Sequence, residues 1–433
     1  MNTRCIAIGL IGPLLALAAL ALLPGLARSG EPSSPLLPLA EAEAKALSSH
    51  PSLEALQSRI AAMRERSVAA GQLPDPKLTL GMTNLPVDTF RLDQEPMTRT
   101  AQIGLMQSFP YPGTLDLRRA RVREQSEILR WKKEDLRAEL VRQVRTAWLE
   151  RFFVERALET IDRNLTLFEE LLTIARSQYA VGIGLQQDVL LARLERDGIL
   201  DDRKRLQDRA ARLESRIAEL TASETSDLRL PEEMPDLPEP PELERLLASL
   251  PEHPLIQTQK AAVRKQDTSV ALAEKAFYPD FGVNLSYGHR RDRDPTGEMR
   301  PDFFSATVTM DLPLFTENRQ ERSLAAAKLE KASLEREQRS KLLELKRLAR
   351  SSWSAHQRSR ERVELFETTI LPESRQTVEA NISAYVSGNL GFLEVVRARL
   401  RTLQHELSLW RLRVKAEQSK ADLLYLAHSG ESS

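Results

Sequence analysis

Apolar positions along this chain fall into two periods. Over most of its length leucine, isoleucine, valine and alanine recur every three to five residues among arginine, lysine and glutamate, the period of helices that bury one stripe and wet the rest. In four short stretches the period drops to two. Phe281, Val283, Leu285 and Tyr287 alternate with Gly282, Asn284, Ser286 and Gly288, and Phe304, Ala306, Val308, Met310 and Leu312 alternate with Ser305, Thr307, Thr309 and Asp311. Earlier in the chain Leu78, Leu80 and Met82 stand against Thr79, Gly81 and Thr83, and Ile103 and Leu105 against Gln102 and Gly104. Successive strand side chains point to opposite faces, so each stretch predicts a strand with one oily and one polar face.

The order of elements is written twice. His50-Pro51 recurs as His253-Pro254, Pro76 as Pro279 and Pro110 as Pro313, each 203 residues on (253 − 50, 279 − 76, 313 − 110). Trp148 is answered by Trp353, and Tyr179, Gly182, Asp188-Val189 and Ala192-Arg193 by Tyr385, Gly388, Glu394-Val395 and Ala398-Arg399. A duplicated plan follows: an opening helix (Leu36 to about Ala70; Pro241 to about Ala276) interrupted at the His-Pro pair, two strands, a very long helix, a glycine-marked turn and a second long helix. The long helices, about Leu115 to Ala180 and Glu317 to Val386, reach on the order of 100 Å at 1.5 Å per residue, and Pro372 should bend the second or break it into two segments. Leu324, Leu329, Leu334, Leu342, Leu345 and Leu348 mark its narrow seam. The expected division is a signal peptide over 1–30, a first repeat over 31–227, a proline-rich linker over 228–241 and a second repeat over 242–433.

Charge and composition narrow the function. Lys plus Arg and Asp plus Glu are 62 each, giving a net charge of zero, which offers no field for nucleic acid. Arg4, the apolar run Ile6 to Leu23 and the small residues before Ala27 read as an export signal. The sole cysteine, Cys5, precedes that run, so the mature protein should carry neither lipid anchor nor disulfide. No later stretch suits a membrane helix, and entry into a membrane would have to be by a barrel. Alternating strands also suit a soluble sheet, but export and the lack of any other apolar surface to cover the oily face favour the barrel. Leu78, Leu80, Ile103, Leu105, Val283, Leu285, Val308 and Met310 would then face lipid, with Phe109, Tyr111, Tyr278 and Phe303 at the strand ends. Four strands cannot close a membrane barrel, so several chains must contribute. The polar loops Leu85 to Arg99 and Arg290 to Pro301 would lie on one side of the membrane and the helices on the other.

Nothing points to catalysis or to a cofactor. The six histidines (50, 253, 289, 356, 405 and 428) lack metal-binding spacing, Gly182-Ile183-Gly184 follows no strand as a dinucleotide loop would, and Met82, Met97, Met106, Met299 and Met310 suit lipid-facing or ordinary positions better than soft-metal ligation. An exported coiled-coil adaptor or scaffold is the alternative class. Gly182, Gly184, Gly388 and Gly391 mark turns between long helices where another backbone could approach closely, which makes them candidates for a docking surface.

The tip sequences Tyr179-Ala180-Val181-Gly182 with Asp188-Val189-Leu190 and Tyr385-Val386-Ser387-Gly388 with Glu394-Val395-Val396 resemble those of the TolC family of outer-membrane efflux proteins, and the resemblance extends over both copies. It implies a mainly α protein with a small β part: a duplicated coiled-coil barrel of long helices, and four strands per chain in a trimeric 12-stranded transmembrane barrel. The partners implied are two further copies of the chain, a periplasmic adaptor at the glycine tips, an inner-membrane RND-type transporter and outer-membrane lipid. The cell would be of the Gram-negative type. In that family the stretch after the second tip lines the periplasmic aperture, which makes Asp188 and Glu394, with Arg193 and Arg397 about one turn on, candidate pore residues. Leu73-Pro74-Asp75-Pro76, Asn84-Leu85-Pro86 and Gln107-Ser108-Phe109-Pro110-Tyr111-Pro112-Gly113 resemble the branch serving heavy-metal pumps.

Overall fold

A computed structural model describes residues 36–93, 98–223 and 229–428. The expected signal segment, Met97 and Leu228 lie outside them. Helices α1 (Leu39–Ser49) and α2 (Pro51–Ala70) lead to strands β1 (Lys77–Thr83) and β2 (Arg99–Phe109), then to α3 (Thr114–Ala180) and α4 (Gln186–Leu220). The second copy repeats this with α5 (Leu243–Ser249), α6 (Pro254–Lys275), β3 (Phe281–His289), β4 (Phe303–Met310), α7 (Gln320–Leu365), α8 (Leu371–Val386) and α9 (Phe392–Leu426).

Both His-Pro pairs do the same local job. Proline at the first helical position has no N–H to leave unsatisfied, and the preceding imidazole caps the next free donor: His50 Nδ1 accepts from Ser52 N and His253 Nδ1 from Leu255 N, each at 3.3 Å. His253 is fully buried, and its Nε2 lies 3.2 Å from the Tyr425 carbonyl, which fixes that nitrogen as the donor. Burial lowers its pKa to about 4, so it stays neutral.

The long helix of the second copy is not broken at Pro372. The ring displaces the carbonyl that an α-turn would use, and the turn over Phe366–Ile370 widens to a π-turn in which Leu371 N bonds to Phe366 O. The seam of α7 is also less uniform than its spacing suggested. Leu345 is buried, whereas Leu329 is 72% exposed, on an edge the chain itself does not cover.

The core runs along the rod in three clusters. Trp148 and Phe152 centre the first, with Trp148 Nε1 donating to the Leu37 carbonyl at 3.0 Å. Phe168, Leu172 and Phe392 lie in the second, toward the α3–α4 and α8–α9 turns, and Leu246, Ile256, Leu345 and Leu423 in the third. α3 packs against α4 and α9 at the turn end and against α2 and α6 at the sheet end, while α9 packs on α7 and α8. No described helix is long and apolar enough to cross a membrane.

The four strands form one antiparallel sheet in the order β1-β2-β3-β4. Its two central strands come from different copies, with Phe109 opposite Phe281. All helices leave from that end, and both hairpin loops lie at the other. Residues 229–242 run without helix or strand between the copies, with Leu230 and Leu237 buried and Leu37 N bonded to Arg229 O.

Candidate functional sites: the sheet and the helix tips

Register makes the alternation of four separate strands into two continuous surfaces. Leu80, Ile103, Tyr287 and Phe304 form one cross-strand row, Leu78, Leu105, Leu285 and Ala306 the next, and Gln107, Val283 and Val308 a third. Met310 and Phe281 extend that face toward the helices. It is open: Leu80 is 70% and Val308 69% exposed, and Leu78, Ile103, Leu105, Leu285 and Met310 are exposed as well. The other face carries small and polar residues, in the rows Thr79, Gly104, Ser286, Ser305 and Lys77, Met106, Asn284, Thr307. Met106 is the apolar exception there, its Cε at 3.1 Å from where a Cβ on Gly282 would stand.

Two residues at the loop end are placed by geometry that alternation alone does not show. An irregularity opposite Gly81 and Thr83 shifts the β1–β2 register, and Arg99 turns onto the polar face across Gly288, where a Cβ would meet Arg99 Cδ at 2.5 Å. There its guanidinium stacks 4.9 Å from the ring of Phe303, and that of Arg290 lies 4.6 Å from the same ring. Phe303 therefore belongs to a cation–aromatic cluster on the polar face rather than to an apolar rim. Tyr111 and Tyr278, at the helix end, do meet: their rings stack at 4.4 Å, and the Asp280 carboxylate accepts from Tyr111 N at 2.7 Å.

The far ends of the helices are two copies of one turn. Gly182 and Gly388 adopt φ of 75° and 76°. Gly182 N bonds to Tyr179 O and Ile183 N to Gln178 O; Gly388 N bonds to Tyr385 O and Asn389 N to Ala384 O. That is the Schellman closure, which requires a left-handed residue just past the helix. Gly184 serves differently, since a Cβ there would stand 2.9 Å from Gln178 Cβ and 3.1 Å from backbone. Gly391 has neither constraint. Its φ is −75°, and nothing lies within 4 Å of a would-be Cβ. Around these glycines Tyr179, Val181, Ile183, Leu185, Leu190 and Val386 are exposed.

The acids beyond the turns have unequal surroundings. Asp188 is half-buried, and its carboxylate accepts from Leu185 N at 3.4 Å, closing the start of α4. Its charge, after burial itself, raises the pKa of the Tyr385 phenol, whose buried Oη has no hydrogen-bond partner. Glu394 is exposed and pairs with Arg397 at 2.8 Å. Arg193 is exposed and, among the described residues, makes no ion pair. Three histidines have structural partners besides the caps: His289 Nδ1 meets Asp302, His356 Nδ1 the Ala416 carbonyl and His405 Nδ1 the Ser374 hydroxyl. His428 lies half-buried just past the end of α9, and its buried Nε2 has no hydrogen-bond partner. Among the described residues, no three His, Cys, Asp or Glu side chains are grouped so as to hold a metal ion.

The fold has close counterparts. The VceC outer membrane protein of Vibrio cholerae superposes with a TM-score of 0.75 at 15% identity, over 90% of this chain and 95% of its own. A membrane protein of Pseudomonas aeruginosa gives 0.77 at 18%, over 90% and 93%. The CmeC outer membrane channel of Campylobacter jejuni gives 0.74 at 14%, over 90% and 86%. No curated protein matches the chain in sequence. A family described as outer membrane efflux protein matches residues 247–427, the second of the two copies. The sequence match thus lies in one copy, while the fold is shared with these outer-membrane proteins over nine-tenths of the chain.

Proposed function

We propose that the chain is one of three identical subunits of an outer-membrane exit duct, which passively conducts cargo delivered by an inner-membrane transporter and a periplasmic adaptor. The observation that carries this is the sheet: a continuous exposed apolar face, a small and polar opposite face, and two unpaired edges at β1 and β4. A closed barrel is the arrangement that satisfies such edges in lipid. The helices support the same closure. The outer edges of α4 and α8 expose Leu190, Leu194 and Val386, and α7 exposes Leu329 and Leu343, surface that an adjoining copy would cover around a threefold axis. Fractionated envelopes should hold the protein in the outer membrane as a trimer band that dissociates on heating. A soluble monomer would overturn the reading.

The glycine tips are the proposed contact for the adaptor. Gly391 gives the cleanest test, because its backbone conformation suits any residue and its surroundings are open. Gly391→Leu should leave trimers intact and reduce export by about tenfold, the effect of losing about 1.4 kcal/mol at a packed contact. Gly184→Leu serves as the contrast, since it should distort the turn itself. Normal export by Gly391→Leu would remove this tip from the contact.

Asp188 and Glu394 are the proposed aperture acids, each repeated three times by the symmetry. A narrow ring of carboxylates attracts cations, so Glu394→Gln or Asp188→Asn should alter single-channel conductance or block by multivalent cations. Unchanged currents from intact trimers in both variants would place the two acids outside the pore. The heavy-metal branch rests on the sequence motifs of the first copy alone.

A further inference from the structure

Charge on the polar face of the sheet identifies a class of cargo. The four strands contain 7, 11, 9 and 8 residues and not one aspartate or glutamate. They do contain Lys77 and Arg99, and both lie on the polar face. Lys77 stands in the row of Met106, Asn284 and Thr307, near the helices. Arg99 is brought to that face by the register shift and laid over Gly288 and Phe303, at the loop end. Four residues of β3, Asn284 to Gly288, separate the two levels, roughly 13 Å of strand.

Lys77 and Arg99 make no ion pair among the described residues, whereas four acids at the loop end are engaged. Asp292 is buried between Arg290 at 2.7 Å and Arg300 at 3.0 Å. Asp302 accepts from Tyr287, from Arg290 N and faces His289. Asp294 closes its own turn on Thr296 and Glu298 N, and Asp93 faces Arg91. At the helix end the Asp280 carboxylate accepts from Tyr111 N, while the carboxylates of Asp75, two residues before Lys77, and Asp311, just past β4, have no partner among the described residues.

We infer that the barrel is a filter for anions: Lys77 and Arg99, tripled around the axis, form two rings of positive charge through which the cargo leaves, so the solutes suited to it carry carboxylate, phosphate or other oxyanion groups. This rests on the trimeric duct proposed above, which sets the polar face toward the lumen. A metal would suit this passage as an oxyanion or an anionic complex rather than as a bare cation. The two rings are separate sites, since their spacing exceeds the Debye length of about 8 Å at physiological salt and each is largely screened from the other.

The test uses the full-length trimer in planar bilayers, with inositol hexakisphosphate as the anionic probe and hexaamminecobalt(III) as the cationic one, each added from the loop side only. That sidedness separates the barrel from the acids near the helix tips. The hexaphosphate should block wild-type channels, and its half-blocking concentration should rise at least tenfold in Lys77→Gln/Arg99→Gln. The block should also weaken as salt is raised from 0.1 to 1 M. Lys77→Gln alone, at an exposed side chain, should show part of the effect even where Arg99→Gln perturbs the Phe303 stack. Equal block of wild type and both variants, or stronger block by the cobalt complex, would overturn the filter while leaving the duct standing. Absence of trimers and of any unitary conductance would instead bring down the duct, and the filter with it.

Discussion

Leu285→Arg should destabilise the inserted protein by about 2–4 kcal/mol, the depth-dependent penalty for a cation on the lipid side of a barrel at mid-membrane. Leu285 is the position to choose, because it lies mid-strand in β3 between Leu105 and Ala306 and its side chain is exposed in the protomer. Asn284→Arg changes the adjacent residue to the same side chain on the opposite face. It should be tolerated in folding, and by adding charge at the level of the Lys77 ring it should strengthen anion block. Urea unfolding from lipid vesicles gives the first quantity directly. Equal loss of stability at 284 and 285 would contradict a sheet with lipid on one side and water on the other.

Trp148→Ala should lower stability by about 3–5 kcal/mol, as expected for removing a large aromatic side chain that the core cannot refill. Trp148 is fully buried, stacks on Phe152 at 5.7 Å and holds the Leu37 carbonyl through its indole N–H. That last contact ties the start of the described chain to the middle of α3, so the substitution also leaves a buried acceptor unsatisfied. The answering residue, Trp353, is only half-buried at the edge of another cluster, and Trp353→Ala should cost less than half as much. Equal losses, measured by denaturant midpoints of the trimer, would show that the two copies contribute alike.

Much of this architecture was legible in the chain because it depends on period and on repetition. The alternation at 281–287 and 304–310 needs no neighbours to declare two faces, and the recurring His-Pro pair located two helix starts that share one capping chemistry. The mainly helical duplicated fold with a small sheet followed from those signals. What escaped depends on contacts across strands or between turns. Arg99 and Phe303 sit by position in a loop and at a rim, and only the shift at Gly81 and Thr83 brings them together. Pro372 announced a bend or a break, yet a helix can absorb a proline by widening one turn, which no local pattern distinguishes from a kink. Four tip glycines looked equivalent in sequence and divide into three kinds in space: left-handed, sterically required and unconstrained.

The pairing of β2 with β3 joins residues as distant as Phe109 and Phe281, and this sets an order of events in biogenesis. Neither hairpin can find its neighbour until the long helices of both copies exist to bring them together, so sheet closure comes late and slowly. Until then β1 and β4 would present bare edges and an oily face to water, the condition that invites strand exchange and aggregation. The helical rod, with its local contacts and its own core, can collapse first and hold the two hairpins side by side. Assembly of three rods would then precede insertion, and a chain arrested as a monomer would be a substrate for holdase chaperones and proteases rather than a smaller pore.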